Sequence, residues 1–422
     1  MPALALIVAS SAESWTIDKD QKTDTPMGTE HLQQFTTELE ALQAEHRLRT
    51  IPDIDYGADT HLKLEDQWLL NLGSNNYLGL SRHPELIEGA LHALHTYGTT
   101  SGASRLVTGT SNLARDLEQD LARFKGQEAA VVLGSGFAAN LALLSCFADR
   151  KTVVFSDRLN HASIIDGITL SRAQHTRYRH LDLDHLAFLL ARHHDAARKI
   201  CITDSVFSMD GDCADLEGLV ALCREHNTLV AVDEAHAAGV FGQGRGLAHA
   251  LGLEQEIDLH MGTWSKAFAS LGGYIAGTDT AIRLVHNTAR SFIYSTALPP
   301  AVLGTNRAAL RHVDRAPEKG AALLGQAKKL RDFLQALGLS TGKSQSQIIP
   351  ILLGESRKAL KAQALLKEQG VFVPAIRPPT VPQGQARLRL SLRADLAPEH
   401  WGQLKTALTA LAHWMQRTAQ AP

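Results

Sequence analysis

The sequence predicts an α/β fold: a large domain on a mostly parallel central sheet, followed by a small α+β domain. Three observations carry this. From residue 71 on, short apolar runs alternate with longer amphipathic stretches, the texture of strands joined by crossover helices. That alternation stops at "LPP", residues 298–300, where a long helical pattern begins. The chain has 422 residues, 44% of them hydrophobic and 20% charged, enough for a large domain and a smaller one.

In chain order, residues 1–28 read as a disordered tail. Its opening, "MPALALIVASSA", has an apolar patch with no Lys or Arg before it, so it lacks the charged start of a secretory signal. Met27 is a plausible first residue of the working protein. Residues 29–70 read as an N-terminal helical segment, with Thr29 as cap and Leu32, Phe35, Leu39 and Leu42 on one face. The large domain spans 71–300, with strands at "AAVVL" (129–133), "TVVFS" (152–156), "KICIT" (199–203), "LVAVD" (229–233), "DLHMG" (258–262) and "GGYIAG" (272–277). The domain at 301–422 has a helical region at 301–336, strands at 347–354 and 386–392, and helices near 356–369 and 398–417.

The formal net charge of −2 gives no basic field for nucleic acid, and no basic amphipathic stretch suggests a membrane surface. No apolar run approaches the ~20 residues of a membrane helix. Cys146, Cys201, Cys213 and Cys223 form no C-x-x-C pair and read as reduced thiols, which places the protein in the cytoplasm. No metal-ligand spacing is evident.

Ligands of parallel α/β sheets bind beyond the carboxyl ends of the strands, so the residues that follow each strand are the candidates. "GSGFAAN" (134–140) is a phosphate cradle leading into a helix. It also fits the dinucleotide fingerprint, with Asp157 about 20 residues on. His161, in "NHAS", can lie over a planar ligand, and Ser208, in "FSMDGD", can donate a hydrogen bond. Asp233 ends an apolar strand, where a carboxylate is costly unless it faces a cation; His236 follows three residues later. "DEAH" matches an ATPase signature, but no complete phosphate loop precedes it; the nearest run, "GLSTGKS" (338–344), is one residue short and on the wrong side. Lys266, in "TWSKAFASLGG", is the single lysine between Lys199 and Lys319. An amine among small apolar residues is pushed toward its neutral, nucleophilic form. A phosphate cradle, a stacking histidine, a serine, a buried acid and a solitary lysine together fit pyridoxal phosphate, which carries a phosphate, a flat ring, a ring nitrogen and an aldehyde. A dinucleotide accounts for the glycines and Asp157 but not for Asp233 and Lys266.

With "SNNYLGL" (74–80), "VDEAHAAGVFG", "TWSKAF" and "IYSTALPP" (293–300), the chain resembles the α-oxoamine synthases, fold-type I pyridoxal phosphate enzymes that condense an amino acid with an acyl thioester. The resemblance runs from about residue 30 to 415. It implies that Lys266 bonds to the cofactor aldehyde and acts as base, Asp233 pairs with the ring nitrogen, His236 and Ser208 bind the phenolic oxygen, and His161 stacks on the ring. Gly136, Phe137 and Thr263 would hold the phosphate. Ser295 and Thr296 would reach the phosphate of a neighbouring subunit, implying a homodimer with shared sites. Asn75 and Arg389 would fix the amino acid carboxylate, and Arg377 the far carboxylate of a dicarboxylic acyl chain. The run "AIRPPTVPQGQARLRLSL" (375–392) resembles the biotin-pathway branch, which joins L-alanine to a pimeloyl thioester on coenzyme A or a carrier protein. Glycine or another amino acid with a different acyl-CoA is the alternative. Many relatives have histidine where this chain has Ala114.

Overall fold

The structure is a computed structural model that describes residues 29–420; the expected tail at 1–28 and the alternative start at Met27 lie outside the described residues. Helix α1 spans Thr29–Ala44. Its expected apolar face is present but open, with Leu32, Phe35 and Leu39 exposed. The described residues from 51 onward form a separate compact unit.

The helical segment expected over 29–70 is helical only in α1. Strands β1 (Ile54–Asp55), β2 (His61–Leu64) and β3 (Gln67–Asn71) follow. "HLKL" alternates with the period of a strand, and β2 turns back on β3 at Glu65, which takes a left-handed φ of 57°. Helices α2 (Pro84–Tyr97) and α3 (Asn112–Lys125) come next.

The sheet units are β4 (Ala129–Leu133), α4 (Gly136–Phe147), β5 (Thr152–Asp157), α5 (Ala162–Ser171), β6 (Gln174–Tyr178), α6 (Leu183–Arg192), β7 (Arg198–Asp204), α7 (Leu216–Glu225), β8 (Leu229–Asp233), α8 (Leu247–Ala250), β9 (Leu259–Thr263) and β10 (Gly273–Gly277). They form a seven-stranded sheet in the order β4-β10-β9-β8-β7-β5-β6. The run from β9 to β6 is parallel, and β10 is antiparallel to both its neighbours. β6, absent from the sequence-predicted strands, is an edge strand with polar "QHTRY" and only one fully buried residue. The sheet is covered on both faces. Val132, Phe155, Cys201 and Val232 belong to one core cluster, while Val131, Val154, Ile202 and Ala231 belong to the other. Adjacent residues point to opposite faces, which is why these strands read as continuous apolar runs.

After α9 (Asp279–Thr288) and α10 (Arg290–Ile293), the helical region expected over 301–336 is two helices, α11 (Pro300–Arg315) and α12 (Glu318–Ala336), interrupted at Pro317. The chain ends with β11 (Ile348–Gly354), α13 (Ser356–Glu368), β12 (Val371–Phe372), β13 (Ala375–Ile376), β14 (Ala386–Ser391) and α14 (Pro398–Gln420). β11, β14 and β13 make an antiparallel sheet, and β12 pairs in parallel with β3. Among the described residues, no helix is long and apolar enough to cross a membrane.

A buried ion pair locks the end of β8. Lys125 Nζ donates to Glu234 Oε2 and to the Arg245 carbonyl, and Glu234 Oε1 accepts the Ala248 N–H at 3.0 Å. Burial opposes the Glu234 charge, but Lys125 and His260 outweigh it and hold the carboxyl down at about 2. Its contribution is therefore complete above the usual 4.5 and is lost as pH falls toward 2. Lys125→Met should strand a buried carboxylate and reduce unfolding free energy by about 3–5 kcal/mol at neutral pH. Urea denaturation checks this, and the deficit should shrink below pH 4.5, where the unfolded chain is already protonated.

Candidate active site

Strands β5, β7, β8 and β9 run in one direction, and β4 shares it because β10 is antiparallel to both β4 and β9. Their carboxyl ends therefore open on one edge of the sheet. Gly136 and Phe137 follow β4, His161 follows β5, Ser208 follows β7, Asp233 closes β8 with His236 just beyond, and Thr263 closes β9 before Lys266.

The centre is a hydrogen-bonded chain. Lys266 Nζ lies 2.9 Å from His236 Nε2, and His236 Nδ1 lies 2.7 Å from the Tyr77 hydroxyl. Tyr77 contacts Asn75 Oδ1 at 3.1 Å and accepts from Arg389 Nη2 at 3.4 Å. Arg389 is also held by the Ser208 carbonyl at 2.5 Å, Asn75 Oδ1 at 3.1 Å and Ser391 Oγ at 2.7 Å. One network thus joins the lysine to the arginine expected to hold a carboxylate.

Burial sets the protonation states. Withdrawal from water lowers Lys266 to about 8, against the opposing pull of Asp233 and Asp204. Burial, then the charges of Lys266 and Arg389, push His236 well below its usual range. A neutral imidazole can accept from the ammonium, and a lysine near 8 supplies free amine at neutral pH. Burial and the neighbouring Asp233 drive Asp204 far upward. Asp233 is 3% exposed; its oxygens accept from Asn140 Nδ2 and the Ala235 N–H, both at 2.8 Å.

His161 is exposed at the opening. Its backbone N–H donates to Asp204 Oδ2 at 2.8 Å, its Nδ1 lies 2.8 Å from Ser163 Oγ, and Phe137 stands edge-on with ring centres 6.4 Å apart. Helix α4 starts at Gly136, with Ser135 Oγ capping Ala138 N–H at 3.0 Å. Its first N–H groups have no intrahelical acceptor. A Cβ on Gly136 would come within 3.2 Å of Thr263, so a larger residue here would press on the Thr263 side chain and make it shift by a few tenths of an ångström. Thr263 Oγ1 contacts the Gly272 carbonyl at 2.7 Å and Ser265 Oγ at 2.8 Å.

The cradle, the buried acid and the amine of reduced basicity fit the phosphate, ring nitrogen and aldehyde of pyridoxal phosphate. Ser295 and Thr296 are exposed on a loop pinned at Ser104 through a bridge to Thr296, outside the Lys266 network. Arg377 follows β13, whose Ile376 pairs with Arg387 on the strand that carries Arg389. Ala114 is buried in the first turn of α3 and lines a small cavity with Ser295 and Thr296. Sequence reasoning missed Tyr77, Asn140 and Asp204. Tyr77 and Asn140 sit inside the quoted motifs, but their chemistry depends on partners distant in sequence.

A family model described as aminotransferase class I and II matches residues 68–408. A curated 8-amino-7-oxononanoate synthase of Geobacter sulfurreducens is 47% identical over 379 residues, covering 89% of this chain and 96% of its own. That of Geobacter metallireducens is 46% identical, with 90% and 98% covered. Among solved structures, a serine palmitoyltransferase with PLP superposes with a TM-score of 0.86 at 30% identity over 92% of this chain and 98% of its own. An 8-amino-7-oxononanoate synthase from Francisella tularensis superposes with a TM-score of 0.71 at 27% identity, covering 83% and 99%. The chain belongs to the aminotransferase class I and II family and, within it, to the α-oxoamine synthases that its motifs resemble.

Proposed function

We propose that this chain catalyses the decarboxylative condensation of L-alanine with a pimeloyl thioester, giving 8-amino-7-oxononanoate, CO2 and the free thiol, in biotin biosynthesis. The observation that carries this reading is the 47% identity to a synthase of that name over 89% of the chain, joined to a continuous lysine–histidine–tyrosine–arginine network.

Bound pyridoxal phosphate supplies an electron sink for the pair left on the alanine Cα. Lys266 would hold its aldehyde and Asp233 would pair with its ring nitrogen. His236 and Ser208 would bind its phenolic oxygen, and His161 would stack on the ring. Gly136 and Phe137 N–H groups with the Thr263 hydroxyl would hold its phosphate. Arg389 and Asn75 would orient the alanine carboxylate, and the Lys266 amine would take the Cα proton. The Cα would bond to the acyl carbon as the C–S bond breaks and the thiolate leaves to be protonated by solvent; the carboxylate would leave as CO2 with its bonding pair kept on Cα, and Lys266 would return its proton there. Arg377 takes the far carboxylate of the acyl chain. Ser295 and Thr296 serve the phosphate of a second copy in a homodimer, and the enzyme works in the cytoplasm. Residues 71–300 form the cofactor domain and 301–422 the smaller one.

The structural likeness to serine palmitoyltransferase favours a second reading, in which the same site takes another amino acid and a longer acyl-CoA. Steady-state assays decide between them. L-alanine with pimeloyl thioester should give the highest kcat/KM, and a preference for serine or glycine with another acyl group would transfer the chain to that branch. Lys266→Ala should lower kcat at least about 10³-fold, and activity near wild type would remove Lys266 from the mechanism. Because neutral amine is the reacting form, loading of apoenzyme with pyridoxal phosphate should accelerate as pH rises and level off above about 8. Stopped-flow absorbance would show it; a midpoint near 10.5, the ordinary lysine value, would contradict it.

A further inference from the structure

Two irregular segments carry His161 and Ser208, and between them stands His180, just after β6, a residue with no part in the reaction described above. Its Nδ1 lies 3.0 and 3.1 Å from the Asp157 oxygens, and its Nε2 lies 3.0 Å from Asp212 Oδ2. The Phe207 ring meets the imidazole edge-on at 4.5 Å.

The Asp157 carboxylate closes one segment, and the Asp212 backbone, whose side chain reaches His180, closes the other. Asp157 Oδ1 accepts the Leu159 N–H and Oδ2 the Leu181 N–H, both at 2.8 Å, which shapes the turn leading to His161. Phe207 donates its N–H to the Asp212 carbonyl at 3.0 Å, and Gly211 donates to the Phe207 carbonyl at 2.8 Å, which encloses Ser208. Gly211 has a φ of 68°, and a Cβ there would meet the Ile348 carbonyl at 2.0 Å, so on its other side this turn lies close against β11 and tolerates only glycine. Asp157 is 0% and Asp212 4% exposed, and buried carboxylates at such positions need a cation. An imidazole with a carboxylate on each nitrogen donates from both and is protonated. Burial opposes that charge, yet the two carboxylates push His180 up to about 9.

We propose that His180 is a positioning residue: by clamping Asp157 to Asp212 it fixes the His161 turn and the Ser208 turn relative to one another at the cofactor site. This rests on the reading that both turns face pyridoxal phosphate. It also gives Asp157 a role. The acid that matched the dinucleotide spacing has both oxygens engaged by His180, Leu159 and Leu181 and does not face a ribose.

The test compares wild type, His180→Gln, Asp212→Asn and the double variant for pyridoxal phosphate affinity of apoenzyme, the visible band of the loaded protein, kcat, KM for L-alanine and Tm. Glutamine donates from a single nitrogen instead of two and loses the charge. His180→Gln should weaken cofactor affinity about tenfold and lower kcat about tenfold, with KM for alanine within about threefold because Asn75 and Ser391 still hold Arg389. Asp212→Asn should move the same quantities in the same direction, and the double variant should match His180→Gln, since both changes sever one link. A lowered Tm with unchanged cofactor affinity, visible band and kcat would overturn the proposal, as would additive losses in the double variant. If His180→Gln does not fold, Asp212→Asn decides alone by cofactor affinity. A wild type that binds no pyridoxal phosphate would instead overturn the functional reading beneath it.

Discussion

The contact at 2.9 Å between Nζ of the half-buried Lys266 and Nε2 of the buried His236 is the constraint on which the rest of this molecule depends. An amine in water stays protonated at neutral pH and does not attack carbonyls. Here burial brings it to about 8, while Asp233 at the end of the neighbouring strand opposes the fall. Too little burial leaves an inert ammonium; too much, without that carboxylate, would remove the charge that helps hold the network together. The His236 imidazole, kept neutral by burial and by its cationic neighbours, can face the amine without repelling it.

That balance requires a rigid frame, and the sheet provides it. Asp204, Asp233 and Thr263 are the terminal residues of β7, β8 and β9, so strand register fixes their spacing. Glu234, the next residue after Asp233, points to the Lys125 pair instead, so adjacent carboxylates serve separate cations. The C-terminal sheet contributes Arg389 from β14 and delivers it to the Ser208 carbonyl and to Asn75. Residues more than 300 positions apart in sequence therefore share one hydrogen bond, and the Arg389 end of the network exists only in the complete fold.

Much of this was legible in the sequence, for identifiable reasons. Strands buried on both faces leave an unbroken apolar run, so β4, β5, β7, β8, β9 and β10 could all be placed, while edge strand β6, with its polar residues, carried no such signal. Strand-end positions marked Asp233, His236 and Lys266 as chemical because buried charge needs a reason. The short strands between 54 and 71 were hidden by their length and by a turn at Glu65 that no glycine announces. The helical periodicity from Thr29 onward predicts α1, but periodicity does not say what covers a face, and Leu32, Phe35 and Leu39 are open. Tyr77, Asn140, Asp204 and His180 were invisible as a group, because each acts through a partner that folding brings near.

The most direct test of the account is to reduce the cofactor-loaded protein with borohydride, digest it and locate the phosphopyridoxyl group by mass spectrometry. The account predicts the label on the peptide containing Lys266 and on no other lysine; a label on a different lysine, or none on a loaded and active enzyme, would contradict it.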